Sequence, residues 1–300
     1  MIQVGIFTGI FPHPLEERAK RIRELGFNTI QVDELRDLPA EKITPRLCKE
    51  IRDTYRNYNL PISVISGYIN LVAPGIEKRN EGLKRLHRIL ELAWELGTPY
   101  VATETGTFNA ESDWVDNEKN HTEEGFSEFL KVTKEAVKIA EANDSVLCLE
   151  TYVQNVIGSV EECKRIFSEI SSPNLKLLLD PANYFEAHNI DKMRDTIDSI
   201  FDAFSEKIVI AHAKDVKRSK PTTEAHFEGK MGTKDEGLSF RGVGNIELPA
   251  PGLGELDYPY YLKKLVHTSP NIPLIIEHLT EEDVPRAKKF IDKMLIEVGG

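Results

Sequence analysis

Cysteine is scarce: Cys48, Cys148 and Cys163 are the only three in 300 residues, and no two stand at the spacing of a thiolate metal site. An odd, sparse set argues against a disulfide framework and suits a reducing cytoplasm, the compartment expected for this chain. Long apolar runs are also missing, and none approaches the ~20 residues that a membrane-spanning helix needs. The first stretch, MIQVGIFTGIFPHP, has no basic residues ahead of its apolar run and breaks at prolines, so it reads as a strand and loop rather than a secretory signal. Basic residues are in deficit, 38 against 49 acidic ones, and a formal charge of −11 argues against nucleic acid or an anionic membrane as a partner. There is no P-loop, no HExxH and no serine-histidine-aspartate order. Thr8-Gly9-Ile10-Phe11, after the first apolar run, is not the glycine-rich turn of a dinucleotide-binding sheet.

What the chain does have is rhythm. Short apolar runs at 2–7, 29–32, 62–65, 100–103, 146–150, 175–180, 208–212 and 273–277 predict eight strands, and stretches of helical periodicity lie between them. Gly26 and Gly97 stand where helices should stop, and Ser159 with Glu162 three residues on forms a capping box. The stretch from Lys214 to Asp257 breaks the rhythm and predicts a long functional loop after strand seven. Eight strand–helix units without a linker or composition shift predict an α/β (β/α)8 TIM barrel, a single domain over 1–300.

The ends of the last four strands carry the chemistry. Val146-Leu147-Cys148-Leu149-Glu150 closes on a carboxylate, which cannot sit unpaired at the tip of a buried strand without a cost of several kcal/mol. The other three runs close on Asp180, His212 and Glu277 in the same way. Thirty positions separate Glu150 from Asp180, 32 separate Asp180 from His212 and 65 separate His212 from Glu277, close to one, one and two strand–helix units. Alternation puts each on the barrel-interior face, at the end where such barrels hold active sites. Three carboxylates and an imidazole suit one divalent ion, Mn²⁺, Mg²⁺ or Co²⁺ before Zn²⁺. Glu150 and Glu277 end the arc on either side, an arrangement suited to removing a proton from one face of a carbon and returning it to the other. Alone, each acid is as readily a structural hydrogen-bonding group, and their joint placement is what argues for a metal.

These residues, with the segments LLLDPANY (177–184), His212-Ala213-Lys214-Asp215, Gly252-Leu253-Gly254-Glu255-Leu256-Asp257-Tyr258 and Ile275-Ile276-Glu277, resemble the xylose-isomerase-like barrel superfamily, and most closely its sugar phosphate isomerase/epimerase branch. The resemblance covers essentially the whole chain. It implies Glu150, Asp180, His212 and Glu277 as ligands of one divalent metal, often manganese, with Glu150 and Glu277 exchanging the substrate proton. It further implies a small sugar-like substrate, and a homo-oligomer as one expected state. Asn183 replaces a histidine that helps hold substrate oxygens in family epimerases, Arg218 matches a common arginine, and Val156 stands where ketose epimerases carry a second acid. A metal-dependent dehydratase of a cyclic polyol ketone and a non-catalytic sugar-binding barrel are the alternatives. The apurinic-endonuclease relatives need extra histidines for three zinc ions, which the acidic charge and Asn183 argue against.

Further substrate-binding candidates are Lys214, beside the histidine; Glu104, at the end of strand four; and Tyr68 and Asn70, after strand three. Tyr68 has packing as an equal reading. Lys220, Lys230 and Lys234 of the long loop are interleaved with acids, and a solvated loop is the stronger reading. Gly252 and Gly254 have N–H groups to offer an anion. His278, one position past Glu277, should by parity face a helix and be structural.

Overall fold

The computed structural model describes residues 2–219, 226–228, 239–242 and 245–299; of the side chains of 226–228 and 239–242 nothing is stated. Eight parallel strands close into a barrel: β1 (Gln3–Phe7), β2 (Thr29–Val32), β3 (Ile62–Ser66), β4 (Tyr100–Glu104), β5 (Val146–Glu150), β6 (Leu175–Leu179), β7 (Ile208–Ala213) and β8 (Pro273–Ile276). They neighbour one another in chain order, and β1 pairs with β8 to close the ring. Both faces of these strands are covered, which is why they read as nearly continuous apolar runs: Leu147, Leu149, Leu177, Leu178, Ile210, Ala211, Leu274 and Ile275 are all buried.

Helices follow the strands as the periodicity predicts, with local chemistry setting their ends. The helix Ile76–Leu96 stops at Gly97, whose φ of 93° lies in the left-handed region that glycine enters without steric cost. The helix Val160–Glu169 starts on the expected capping box: Ser159 Oγ accepts from Glu162 N at 3.2 Å, and Glu162 Oε2 accepts from Ser159 N at 3.0 Å. Thr122 likewise caps the helix Glu123–Ala142, accepting from Gly125 N at 3.0 Å. Cys48, Cys148 and Cys163 are free and buried.

The stretch after β7 is more ordered than its lack of period predicts. The segments Lys217–Arg218, His226–Glu228, Ser239–Gly242 and Ile246–Leu248 form a separate antiparallel sheet. Strands of two to four residues are too short to display an alternation; Ile246 and Leu248 show the buried, period-two pattern. Lys220, Lys230 and Lys234 lie outside the described residues. No helix among those described is long and apolar enough to cross a membrane. Ser159→Ala should lower the unfolding free energy by about 1 kcal/mol through loss of the cap, read as a shifted urea midpoint at unchanged slope. An unshifted midpoint would show that the capping box does not hold this helix.

Candidate metal centre

Parallel register carries the strand ends to one rim. Glu104 of β4 stands opposite Glu150 of β5, and Ile275 of β8 opposite His212 of β7. Glu150, Asp180, His212 and Glu277 each direct one ligand atom to a common point, all four atoms lying within 4.8 Å of one another and all four residues buried. Asp180 is positioned by the turn Pro181–Tyr184, whose Ala182 N donates to Asp180 Oδ1 at 3.0 Å.

His212 is oriented from behind. Its Nε2 donates to Gln31 Oε1 at 2.8 Å, which fixes the tautomer and leaves Nδ1 facing Glu277 Oε1 at 3.3 Å, Glu150 Oε1 at 3.5 Å and Asp180 Oδ2 at 3.8 Å. Gln31 is itself held, since its amide nitrogen donates to Ser66 Oγ at 3.2 Å and to Tyr68 Oη at 3.4 Å. Tyr68 donates in turn to Glu150 Oε2, and Asn183 Nδ2 donates to Glu150 Oε1 at 2.9 Å. A buried histidine nitrogen with no hydrogen bond, aimed among three carboxylates and backed by an N–H donated to a fixed acceptor, is the donor arrangement of a metal-binding imidazole. Three hard oxygens and one nitrogen fit a divalent cation.

Without such a cation the charges lean on protein groups. Burial alone would lower the His212 pKa, but Glu277 and Glu150 outweigh it and raise it to about 10. Burial raises and His212 lowers the carboxyl of Glu150, with the net shift downward; Glu277 is held further down by His212 and Lys214. Lys214 Nζ lies 2.7 Å from Asp180 Oδ2 and 3.0 Å from Glu277 Oε1, and these carboxylates override the effect of burial and keep the ammonium charged.

A cavity of about 320 Å³ opens above the cluster, lined by Glu150, Glu277, Asn183, Lys214, Tyr68 and Glu104, with Phe7, Arg36, Asp113, Trp114, Thr151, Tyr152 and His278 completing its wall. Trp114 and Tyr152 meet edge to face, with ring centroids 5.8 Å apart. Such a volume matches a small-molecule site. Burial, reinforced by Asp113 and Glu150, raises the carboxyl of Glu104 to about 8, so it carries a proton at neutral pH, and its Oε2 has no hydrogen-bond partner.

Three expectations need correction. Asn70 does not line the cavity: its Nδ2 donates to Thr107 O and Asp113 Oδ1, both at 2.8 Å, and its Oδ1 accepts from Val72 N and Thr107 N, so it staples two loops together. Arg218 is also outside the lining, drawn by Asp191 at 2.6 Å and Glu255 at 2.7 Å. His278 does line the cavity. Parity misplaces it because β8 ends at Ile276, and a φ of 58° at His278 turns the backbone out of strand geometry. Gln31, Trp114 and Tyr152 were missed altogether. An amide in the middle of the apolar strand Thr29-Ile30-Gln31-Val32 was the available signal for the first, and a tryptophan in a polar loop for the second.

The glycine turn serves this centre indirectly. The anion its N–H groups meet is internal: Asp215 accepts from Gly252 N, Val216 N and Leu256 N, each at 2.9 Å. A Cβ on Gly254 would lie 2.3 Å from Asp215 Oδ1. The helix that follows, Tyr258–Thr268, donates Tyr258 Oη to Lys214 O at 3.0 Å and Tyr261 Oη to His212 O at 3.1 Å. The turn and its helix thus brace the backbone that carries His212 and Lys214.

Known proteins share this architecture. The family model described as xylose isomerase-like TIM barrel matches residues 19–294, and the chain belongs to that family. No curated protein matches it in sequence. Among solved structures, a D-tagatose 3-epimerase-like protein superposes with a TM-score of 0.71 at 17% identity, covering 99% of this chain and 98% of the other. The probable 3-DHS dehydratase AsbF of Bacillus anthracis, involved in petrobactin synthesis, gives 0.67 at 17% identity, with 99% of each chain covered. A xylose isomerase-like TIM barrel protein from Mycobacterium smegmatis in complex with magnesium gives 0.67 at 18%, covering 99% of this chain and 96% of that one. At these identities the likeness is one of fold.

Two outcomes follow from this geometry. Gly254→Ala should destabilise the protein by about 1–3 kcal/mol, since the new methyl must displace the Asp215 carboxylate or its backbone partners; an unchanged denaturation midpoint would contradict the close approach. Glu104 holds a proton in the folded metal-free protein up to about pH 8 that the unfolded chain releases near its ordinary value of 4.5. Stability from this group is therefore full below that ordinary value and falls as pH rises toward 8. Glu104→Gln should flatten the fall of unfolding free energy across that window, and curves that stay parallel would contradict the buried proton.

Proposed function

Taking the chain as a xylose isomerase-like barrel, we propose that it is a divalent-metal-dependent isomerase or epimerase acting on a small sugar or related polyhydroxy carbonyl compound. The observation that carries this reading is the convergence of Glu150, Asp180, His212 and Glu277 within 4.8 Å, with Glu150 and Glu277 lining a cavity of monosaccharide scale. Those four side chains hold the ion, Mn²⁺ first and Mg²⁺, Co²⁺ or Zn²⁺ as alternatives, in a chain working in the cytoplasm. Bound there, the ion supplies positive charge against the oxyanion charge that develops as a proton leaves the carbon beside a carbonyl.

The chain's own groups move the proton. Glu150 ends β5 and Glu277 directly follows β8, with β6 and β7 between them, and both are held toward the ionised form because the cations beside them outweigh their burial. One, as carboxylate, takes the proton from the substrate carbon. The other, once it has picked up a proton from solvent, gives that proton to the opposite face of the same carbon for epimerisation or to the neighbouring carbon for isomerisation, and solvent exchange resets the pair. Tyr68 and Asn183 hold the two oxygens of Glu150 so that the carboxylate keeps one orientation toward the cavity. Lys214 and Glu104 are placed to meet substrate oxygens, and the aromatic wall of Trp114 and Tyr152 excludes water.

One observation favours a second reading. Glu104 lines the same cavity with Oε2 unpartnered, and its burial raises the carboxyl to about 8 and favours the protonated form, which is able to protonate a departing hydroxyl. That would make the chain a dehydratase, the activity named for the Bacillus anthracis protein.

Proton NMR in D₂O over a panel of ketoses and inososes separates the two. Deuterium entering recovered substrate or its isomer without loss of water supports the isomerase or epimerase, whereas an enone product supports the lyase. Glu150→Gln should cut exchange by at least about 10²-fold, in the range of general acid–base contributions, while circular dichroism stays unchanged. Exchange that survives both this substitution and exhaustive chelation would overturn the reading.

A further inference from the structure

Lys214 lies two positions beyond His212, and its side chain is almost fully buried, only 3% exposed. Its ammonium touches Asp180 Oδ2 and Glu277 Oε1, carboxylates of the same donor set that would hold the ion. Two cations sharing the same two oxygens repel strongly where little water screens them. Three carboxylates this close also need positive charge nearby to stay folded together, because buried charges without partners are costly.

We propose that Lys214 is the resident counter-ion of the metal-free centre, and that its ammonium competes with the divalent cation for Asp180 Oδ2 and Glu277 Oε1. Loading the centre releases the ammonium into the cavity it already lines, where it donates hydrogen bonds to substrate oxygens. Metal uptake and readiness to bind substrate are thereby coupled through one side chain. The inference rests on reading the four donors as a metal centre. It differs from a fixed supporting role, in which Lys214 would stay on Asp180 beside the ion and strengthen its binding.

Calorimetric titration of the full-length, metal-stripped protein with MnCl₂ separates these cases. Lys214→Met should bind Mn²⁺ about tenfold or more tightly than wild type, since removing a nearby unit charge in a poorly screened site is worth at least that much. The melting temperature should also rise more on Mn²⁺ addition in the variant than in wild type, because the variant's empty centre lacks its counter-ion. Lys214→Gln supplies the same comparison if the methionine variant fails to fold. A crystal structure of Mn²⁺-loaded wild type should show Nζ beyond hydrogen-bond distance from both oxygens. Uptake with equal or weaker affinity in the variants, or Nζ still bridging the two oxygens beside the ion, overturns the competition and leaves the metal centre standing. Wild-type protein that takes up no divalent ion overturns both.

Discussion

Everything at this site answers to the mutual repulsion of three buried carboxylates. Glu150, Asp180 and Glu277 place oxygens within 4.8 Å of one another and of a histidine nitrogen, in buried side chains that water screens poorly. Such a cluster survives only with compensating positive charge. In the metal-free protein the compensation comes from the ammonium of Lys214 and from an imidazole driven toward its charged form. A divalent ion would supply the same charge from one point. The enzyme reading and the inference about Lys214 are both consequences of that single electrostatic demand.

The barrel meets the demand by rigid placement. Strand register fixes where each donor emerges, and neighbouring groups fix how it points: Gln31 behind His212, Tyr68 and Asn183 on Glu150, and Ala182 N on Asp180. Farther out, Asp215 gathers the N–H groups of the glycine turn, while Tyr258 and Tyr261 grip the carbonyls of Lys214 and His212. Support of this kind keeps ligands in register when their mutual repulsion would otherwise spread them.

Much of this was legible beforehand, for physical reasons that also mark where legibility ends. Strands buried on both faces must be apolar throughout, so eight such runs announce a closed parallel barrel, and an acid or histidine at the tip of four of them stands out. Alternation holds only while the backbone stays extended, so it served Glu150, Asp180 and His212 but misplaced His278 beyond the end of β8. Asn70 is expected at the substrate because it follows a strand end, and Arg218 because it matches a common arginine of the family the sequence resembles. Which polar group faces the cavity is decided by partners distant in sequence, Thr107 and Asp113 for the one, Asp191 and Glu255 for the other. Gln31 lay hidden because its partners are distant in sequence, Ser66 and Tyr68 on its amide nitrogen and His212, 181 positions away, on its oxygen.

On the proposed reading, Glu150, Asp180, His212 and Glu277 together bind one divalent ion. Pulsed electron paramagnetic resonance on Mn²⁺-loaded protein tests it most directly, because nitrogen hyperfine coupling reports imidazole in the coordination shell. A single directly coordinated nitrogen is expected, one that becomes ¹⁵N when histidine is isotopically labelled and vanishes in His212→Ala. A Mn²⁺ signal with no coordinated nitrogen, or one that persists unchanged in that variant, would contradict it.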